Sequence, residues 1–328
     1  MLSSFSRLCA LFFVGINVAS VALGFNILLT NDDSWASANI RATYSALKAA
    51  GHTVLLVVPA VQNSGQGGRF ITPTTNITAP GGEFGSIPVG ASYFGHDVND
   101  DHLWYFNGTP GASAVWGLDV IRPMILGNDS AIDLVVAGPN EGGNAGPFLF
   151  TLSGTMGATY TSVYRGIPAI AFSAGNSTHR SFTTLTNDTS DPANIAARLT
   201  TNFVNALANV TQPGQRALPL SVGIGINLPE FGPNSNCTDP PFILTRLAGG
   251  ALVPTLAIGP DGFPLETEIV TSGVNPNFTG VPILPGETII SSGCQSSVSV
   301  FSIDYDAPTE IAQPLQLSLM PLFGKSSL

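Results

Sequence analysis

Two short runs near the N-terminus, Asn26-Ile-Leu-Leu-Thr30 and Thr53-Val-Leu-Leu-Val-Val58, are apolar almost throughout, with no alternation of polar residues. Strands of that kind are buried on both faces, as in parallel sheets covered by helices. Between them Ile40, Tyr44, Leu47 and Ala50 recur at three- and four-residue intervals, and Gly51 stands where a left-handed cap is usual. Pro59 closes the second run. A strand–helix–strand unit of this type crosses over right-handed onto a parallel sheet. The pattern recurs: helical stretches at 110 to 121, 154 to 164 and 192 to 210 precede apolar runs at 132 to 136, 168 to 172 and 221 to 226. This alternation predicts an α/β fold with an open, mostly parallel, doubly wound sheet. From residue 228 to 300 Pro and Gly recur and helical periodicity disappears, while Glu266 to Thr271 and Ser297 to Ile303 are β-prone. That predicts a β-rich extension of hairpins packing on a partner subunit. No linker divides the chain, so residues 25 to 328 form a single domain.

Ligands of open parallel sheets bind at the carboxyl ends of the strands, so the polar residues after each apolar run carry the chemistry. After the first run stand Asp32 and Asp33, hard oxygen donors suited to Mg²⁺, Mn²⁺ or Ca²⁺. An Asx turn or a helix N-cap uses the same residues. After the second comes Gln62-Asn-Ser-Gly-Gln-Gly-Gly68, whose amides and Ser64 hydroxyl can approach an anion or a metal, or form an ordinary loop. It lacks the lysine of a phosphate-binding P-loop. After the third come Asn140 and Asn144, then Ser153-Gly154-Thr155 opening a helix, where free amides form a phosphate site or Ser153 acts as a plain N-cap. Together the three strand ends read as a cation bridging protein and phosphate.

Composition and the N-terminus set the surroundings. An apolar run from Leu8 to Leu23 after Arg7 ends in Ala22-Leu23-Gly24, the pattern of a signal peptide over residues 1 to 24. It is short of a spanning helix and contains Asn17 and Ser20, and no later segment is apolar enough to cross a bilayer. Only 10% of residues are charged and the net charge is −10. The acidic balance excludes a nucleic-acid polymer as main partner. Eight N-x-Ser/Thr sequons, at Asn76, Asn107, Asn128, Asn176, Asn187, Asn209, Asn236 and Asn277, offer glycans to solvate this charge-poor surface. With Cys9 in the leader, Cys237 and Cys294 remain as an even pair for one disulfide or two free thiols. These features predict a secreted, extracellular or cell-wall protein that is not membrane-bound after cleavage.

The strand-end residues resemble the SurE family of metal-dependent phosphatases and nucleotidases. Ile27 to Asp33 is similar to the family's opening strand and aspartate pair, and Asn63-Ser-Gly65 to its serine–glycine loop. Asn107 to Pro110 resembles its G-T-P segment, Asp133 to Asn140 its D-L-V-x-S-G-x-N run, and Leu152 to Ala158 its S-G-T helix start. Gly166 to Ser173 resembles the next strand, with looser matches at Val222 to Pro229 and Ser297 to Val300. The resemblance implies a Rossmann-like fold and a divalent metal, Mg²⁺ or Mn²⁺, on Asp32, Asp33, Ser64 and Asn140. It places phosphate on Asn144, Ser153, Gly154 and Thr155, with Asp32 and Asp33 catalytic. It implies a homodimer or tetramer acting on a small phosphorylated substrate, as an acid phosphatase or a 5′- or 3′-nucleotidase. Ser34 and Pro139 depart from the family pattern, where a glycine and a branched apolar residue are usual.

Other catalytic kits have little support. His52, His96, His102 and His179 form no metal-spaced cluster, and no G-x-S-x-G elbow is present. His96 and His102, beside Asp97, Asp100 and Asp101, are expected in a loop, either solvated or on a substrate rim. The rival to an enzyme is a secreted, non-catalytic glycoprotein that keeps the fold and binds a phosphate, a nucleotide or a cell-surface ligand.

Overall fold

The structure, a computed structural model, describes residues 24–176, 178–232, 235–248, 252–270, 284–291, 293–306 and 309–322. Residues 1–23 of the expected leader, with Cys9, lie outside these residues, as do residue 271 and the Asn277 sequon. In chain order the first elements are β1 (Asn26–Thr30), α1 (Ala38–Ala49), β2 (Thr53–Pro59), β3 (Phe94–Asp97) and β4 (Asp100–Phe106). Next, α2 (Pro110–Trp116) runs through a π turn at Gly117–Ile121 into α3 (Arg122–Leu126). Then come β5 (Leu134–Glu141), α4 (Gly146–Leu152), α5 (Gly154–Tyr164), β6 (Ala169–Ala174), α6 (Pro192–Val210) and β7 (Val222–Asn227). The C-terminal part adds β8 (Phe242–Thr245), β9 (Leu252–Ile258), β10 (Pro264–Val270), α7 (Glu287–Ser291), β11 (Ser296–Ser302) and α8 (Thr309–Ser318).

Nine strands form one sheet in the order β3-β4-β2-β1-β5-β6-β7-β11-β8, parallel except at the β3–β4 and β7–β11 pairs. The apolar runs behave as expected of strands covered on both sides. Ile27 and Leu29 join the core beneath α1 and α6, whereas Leu28 joins the opposite core with Met156 and Val163 of α5. Local signals fix the helix ends. Asp191 caps α6 by accepting the Ala193 N–H, and Ser153 caps α5 by accepting that of Met156. Chain order reverses at β1, which lies between β2 and β5. The crevice above the carboxyl ends of β1 and β5 is therefore the switch point where ligands of such sheets bind.

Three expectations are corrected. Residues around His96 and His102 are not a loop: they form the antiparallel β3–β4 hairpin at the sheet edge. Polar residues at 100 to 102 mask the start of β4, which becomes a strand by pairing with β3 from Asp100 and with β2 from Leu103. Helix is not absent after residue 228, since α7 and α8 are present. Nor does the whole extension stand apart: β8 and β11 complete the main sheet, and only β9 and β10 form a separate hairpin.

Cys237 and Cys294 are bridged, with Cα atoms 5.5 Å apart, joining the approach to β8 to the approach to β11. Closing a loop with a sequence separation of 57 removes chain entropy equivalent to about 4 kcal/mol. Replacing both cysteines by serine should lower urea-unfolding stability by that order. A midpoint unchanged from wild type would show that the bridge contributes little to the fold.

Candidate functional site

Asp32 and Asp33 follow β1 and are 1% and 0% exposed. No lysine or arginine is among their described hydrogen-bond partners. The Asp32 Oδ1 accepts a short hydrogen bond from the Thr155 hydroxyl, which also lies 3.2 Å from Asn140 Oδ1. The amides of Gly154 and Thr155, at the N-terminus of α5, also face Asp32. Desolvation nonetheless raises its pKa, against these bonds. Asp33 Oδ2 accepts the Glu141 N–H at 2.8 Å and Oδ1 accepts Gln62 Nε2 at 3.1 Å. Burial first, then the charges of Asp32 and Glu141, push the Asp33 carboxyl well up.

Asn140 reaches this cluster because β5 is irregular between Ala137 and Asn140 in its register with β6. Gly138 there has φ +98°, and a Cβ would fall 2.1 Å from the Phe172 carbonyl oxygen. The bulge re-aims the strand end, and the Asn140 Nδ2 donates to the Gly142 carbonyl at 2.7 Å. Ser34, where the family pattern has glycine, has φ +89°, a backbone region that glycine enters more easily.

The other expected residues divide. Gly154 packs on Asp32 so closely that a Cβ would lie 2.9 Å from Asp32 Oδ2. Ser64 is exposed in the loop after β2, with its N–H donated to Gln62 Oε1 at 2.7 Å. The Ser153 side chain caps α5. Asn144 faces the ends of β6 and β7: its N–H donates to Asn227 Oδ1 at 2.7 Å and its Nδ2 to Ser173 Oγ at 2.8 Å. The structure thus joins Asp32, Asn140 and Thr155 directly, holds Asp33 through Gln62 and Glu141, and leaves Ser64 at the mouth.

Two buried adjacent carboxylates, a neutral amide oxygen and a hydroxyl form a hard-oxygen donor set, and a divalent cation would relieve their mutual repulsion. The residues therefore fit the metal implied by the resemblance. Asp100, Asp101 and His102 also bring metal-ligating atoms within 4.8 Å. They stand at the start of β4, at the end of the sheet away from Asp32, and Asp100 is taken by Tyr44 and Lys48. They do not belong to this site.

Around Asp33 the structure adds Glu83, Glu141 and Ser37, which sequence does not single out, and joins them to Gln62 and His179. Gln62 donates its N–H to Glu83 Oε2 at 2.8 Å. His179 lies 3.0 Å from Glu83 Oε1 through Nε2 and close to Glu141 Oε2 through Nδ1. Ser37 Oγ donates to the other Glu141 oxygen at 2.6 Å. His179 follows β6, so the strand-end rule reaches it; Glu83 carries no such signal.

The extension also touches the site. Glu287 of α7 is buried, and its Oε2 accepts the Gly146 N–H, two residues after Asn144, at 2.7 Å. Burial raises its pKa above the ordinary 4.5, opposed by bonds from Gly146 and Ser299. The native state therefore keeps this proton to a higher pH than the unfolded chain. Its stabilisation is complete below the unfolded pKa and declines as pH rises through the folded one. Glu287→Gln keeps an acceptor for Gly146 and should flatten that decline. Urea unfolding from about pH 4 to about pH 7 should show the variant gaining on wild type; a constant difference would contradict the raised pKa.

A profile of the family described as Survival protein SurE matches residues 27–248. An acid phosphatase of Yarrowia lipolytica is 46% identical, over 88% of this chain and 82% of that protein. A 5′-nucleotidase SurE of Desulfovibrio desulfuricans is 32% identical over 47% of this chain, which spans 51% of its length. The crystal structure of a SurE protein from Aquifex aeolicus superposes with TM-score 0.60 at 22% identity, covering 89% of this chain and 99% of that one. The profile match spans both aspartates, Ser64, Asn140 and the start of α5, the residues gathered at the switch point. This chain belongs to the SurE family.

Proposed function

We propose that this protein is a secreted phosphomonoesterase that requires a divalent cation, Mg²⁺ or Mn²⁺, held by Asp32, Asp33, Ser64 and Asn140. One observation carries the reading: two buried carboxylates share a crevice with Asn140 and a helix N-terminus. When bound, the cation supplies charge neutralisation and a lowered pKa for water. The chain's own groups do the rest. Amides of Gly154 and Thr155, with Ser153 and Asn144, orient phosphoryl oxygens. A carboxylate of the Asp32–Asp33 pair exchanges the proton with the attacking water or the leaving alkoxide.

A cavity of about 680 Å³ is lined by Trp35, two residues after Asp33, and by Phe84, Tyr105 and Phe182, and runs to His96–Asn99 of the β3–β4 turn. Aromatic walls suit a flat heterocyclic leaving group, which supports the nucleotidase form. The names of the Yarrowia and Desulfovibrio relatives support the activity class. Purified protein is expected to hydrolyse nucleoside monophosphates faster than glycerol phosphate with Mn²⁺ or Mg²⁺. Unchanged hydrolysis after chelation would overturn the metal requirement, and tight phosphate binding without turnover would favour the non-catalytic glycoprotein.

The cysteine bridge supports secretion. Asn76, Asn128, Asn187, Asn209 and Asn236 are exposed as glycan sites require, while Asn107 and Asn176 are partly buried. No helix among the described residues is long and apolar enough to cross a membrane. The β9–β10 hairpin exposes Leu256, Ile258 and Phe263, which supports a dimer or tetramer that light scattering can detect.

A further inference from the structure

We propose that His179 is a positioning residue: clamped between Glu83 and Glu141, it closes a ring of hydrogen bonds that fixes Asp33 for cation binding. The inference rests on the metal reading above and adds to it residues outside the expected ligand set. The ring is continuous. Asp33 accepts from the Gln62 side chain, and the Gln62 N–H donates to Glu83. Glu83 meets one nitrogen of His179, and Glu141 meets the other. The Glu141 N–H returns to Asp33 at 2.8 Å. Five residues from five segments of the chain are tied together, none within 20 residues of another in sequence.

Each contact has a reason to matter. The Glu141 side chain is 3% exposed and lies near the Asp32 and Asp33 carboxylates, so its charge needs a partner. His179 supplies one, since a ring with both nitrogens on carboxylates is stabilised as the imidazolium. The groups facing it are Glu83, Glu141 and the Phe84 ring at 4.6 Å. The segment after His179 is itself anchored to the start of α1: the Ala38 N–H donates to the Arg180 carbonyl at 3.0 Å and the Phe182 N–H to that of Ala36 at 2.8 Å. The imidazole is thus held by backbone on one side and draws Glu83 and Glu141 together on the other. Without it those carboxylates separate, Gln62 loses its brace, and Asp33 keeps only the main-chain donor of Glu141, which β5 fixes. Groups that orient metal ligands typically carry 10–100-fold in affinity.

The test is titration of purified protein with Mn²⁺ alone, following free Mn²⁺ by electron paramagnetic resonance, with metal-free melting temperatures measured alongside. His179→Ala is expected to weaken Mn²⁺ binding by about 10–100-fold, and His179→Gln, which retains a donor, to recover part of it. Glu83→Gln, at a partly buried position, should weaken binding in the same direction if His179→Ala proves unstable. Adding Glu83→Gln to His179→Ala should cost little more, because the ring is already open. Variants that bind Mn²⁺ within twofold of wild type, while wild type binds it, overturn this inference and leave the metal reading intact. Wild-type protein that binds no Mn²⁺ overturns both.

Discussion

Asp32→Asn is expected to lower phosphomonoester turnover by at least about a thousandfold, roughly 4 kcal/mol of transition-state stabilisation, while the fold survives. The substitution is nearly isosteric, so packing is preserved. The chemistry is not. Asp32 now faces the Thr155 hydroxyl and the amides of Gly154 and Thr155. An asparagine would turn its Nδ2 toward one of these donors or toward the cation, and would bring no negative charge. In metal-free protein the change also removes a charge that raises the Asp33 pKa. Relief of that repulsion opposes the loss of an acceptor for Thr155 and the helix amides, so the metal-free variant should melt close to wild type near neutral pH. The rise in melting temperature on adding Mn²⁺, a mass-action effect of binding the native state, should be lost. Activity within tenfold of wild type, or an undiminished Mn²⁺ shift, would remove Asp32 from the centre of the site.

Gly157→Ala is expected to cost about 2 kcal/mol of stability and about a hundredfold in kcat/KM. Its sign makes it informative. Alanine in place of a glycine within a helix ordinarily stabilises by roughly 0.5–1 kcal/mol. Here a Cβ on Gly157 would fall 1.9 Å from the Gly67 carbonyl oxygen, where contacts under 3.0 Å are essentially never seen. Helix α5 and the loop after β2 must then part by about 1 Å, a displacement that overpacking penalties and misplaced catalytic groups both register. That loop carries Gln62 and Ser64, and the Gly67 N–H donates to the Leu152 carbonyl at 2.8 Å. Urea unfolding and steady-state kinetics would read both effects. A variant more stable than wild type and fully active would show that the loop does not rest on the helix.

The parts of the molecule legible from residues alone are those with a local signature. β1, β2, β5, β6 and β7 are apolar runs because both faces are covered, and α1, α5 and α6 show helical spacing or caps. Their alternation implies a parallel sheet, and the sheet implies that Asp32, Asp33 and Asn140 share one end. Even the unusual Ser34 and Pro139 could be noticed as departures, although only the backbone shows Ser34 at positive φ and Pro139 within the bulge that aims Asn140.

The remainder depends on contacts between distant residues, which leave no pattern in a window of sequence. β4 begins with polar residues, and its apolar half pairs with β2 more than 40 residues earlier in the chain. β8 and β11 join the main sheet through neighbours far away in the chain. Glu287, read only as part of an extension, reaches the Asn144 loop across 141 residues. His179 and Glu83 are 96 residues apart, and each is unremarkable where it stands in the chain. Sequence by itself determined the sheet, the strand ends and the acidic pair, because burial imposes a periodicity that side chains must obey. Tertiary structure alone decided which groups hold that pair in place, because a hydrogen bond between segments constrains two positions and nothing between them.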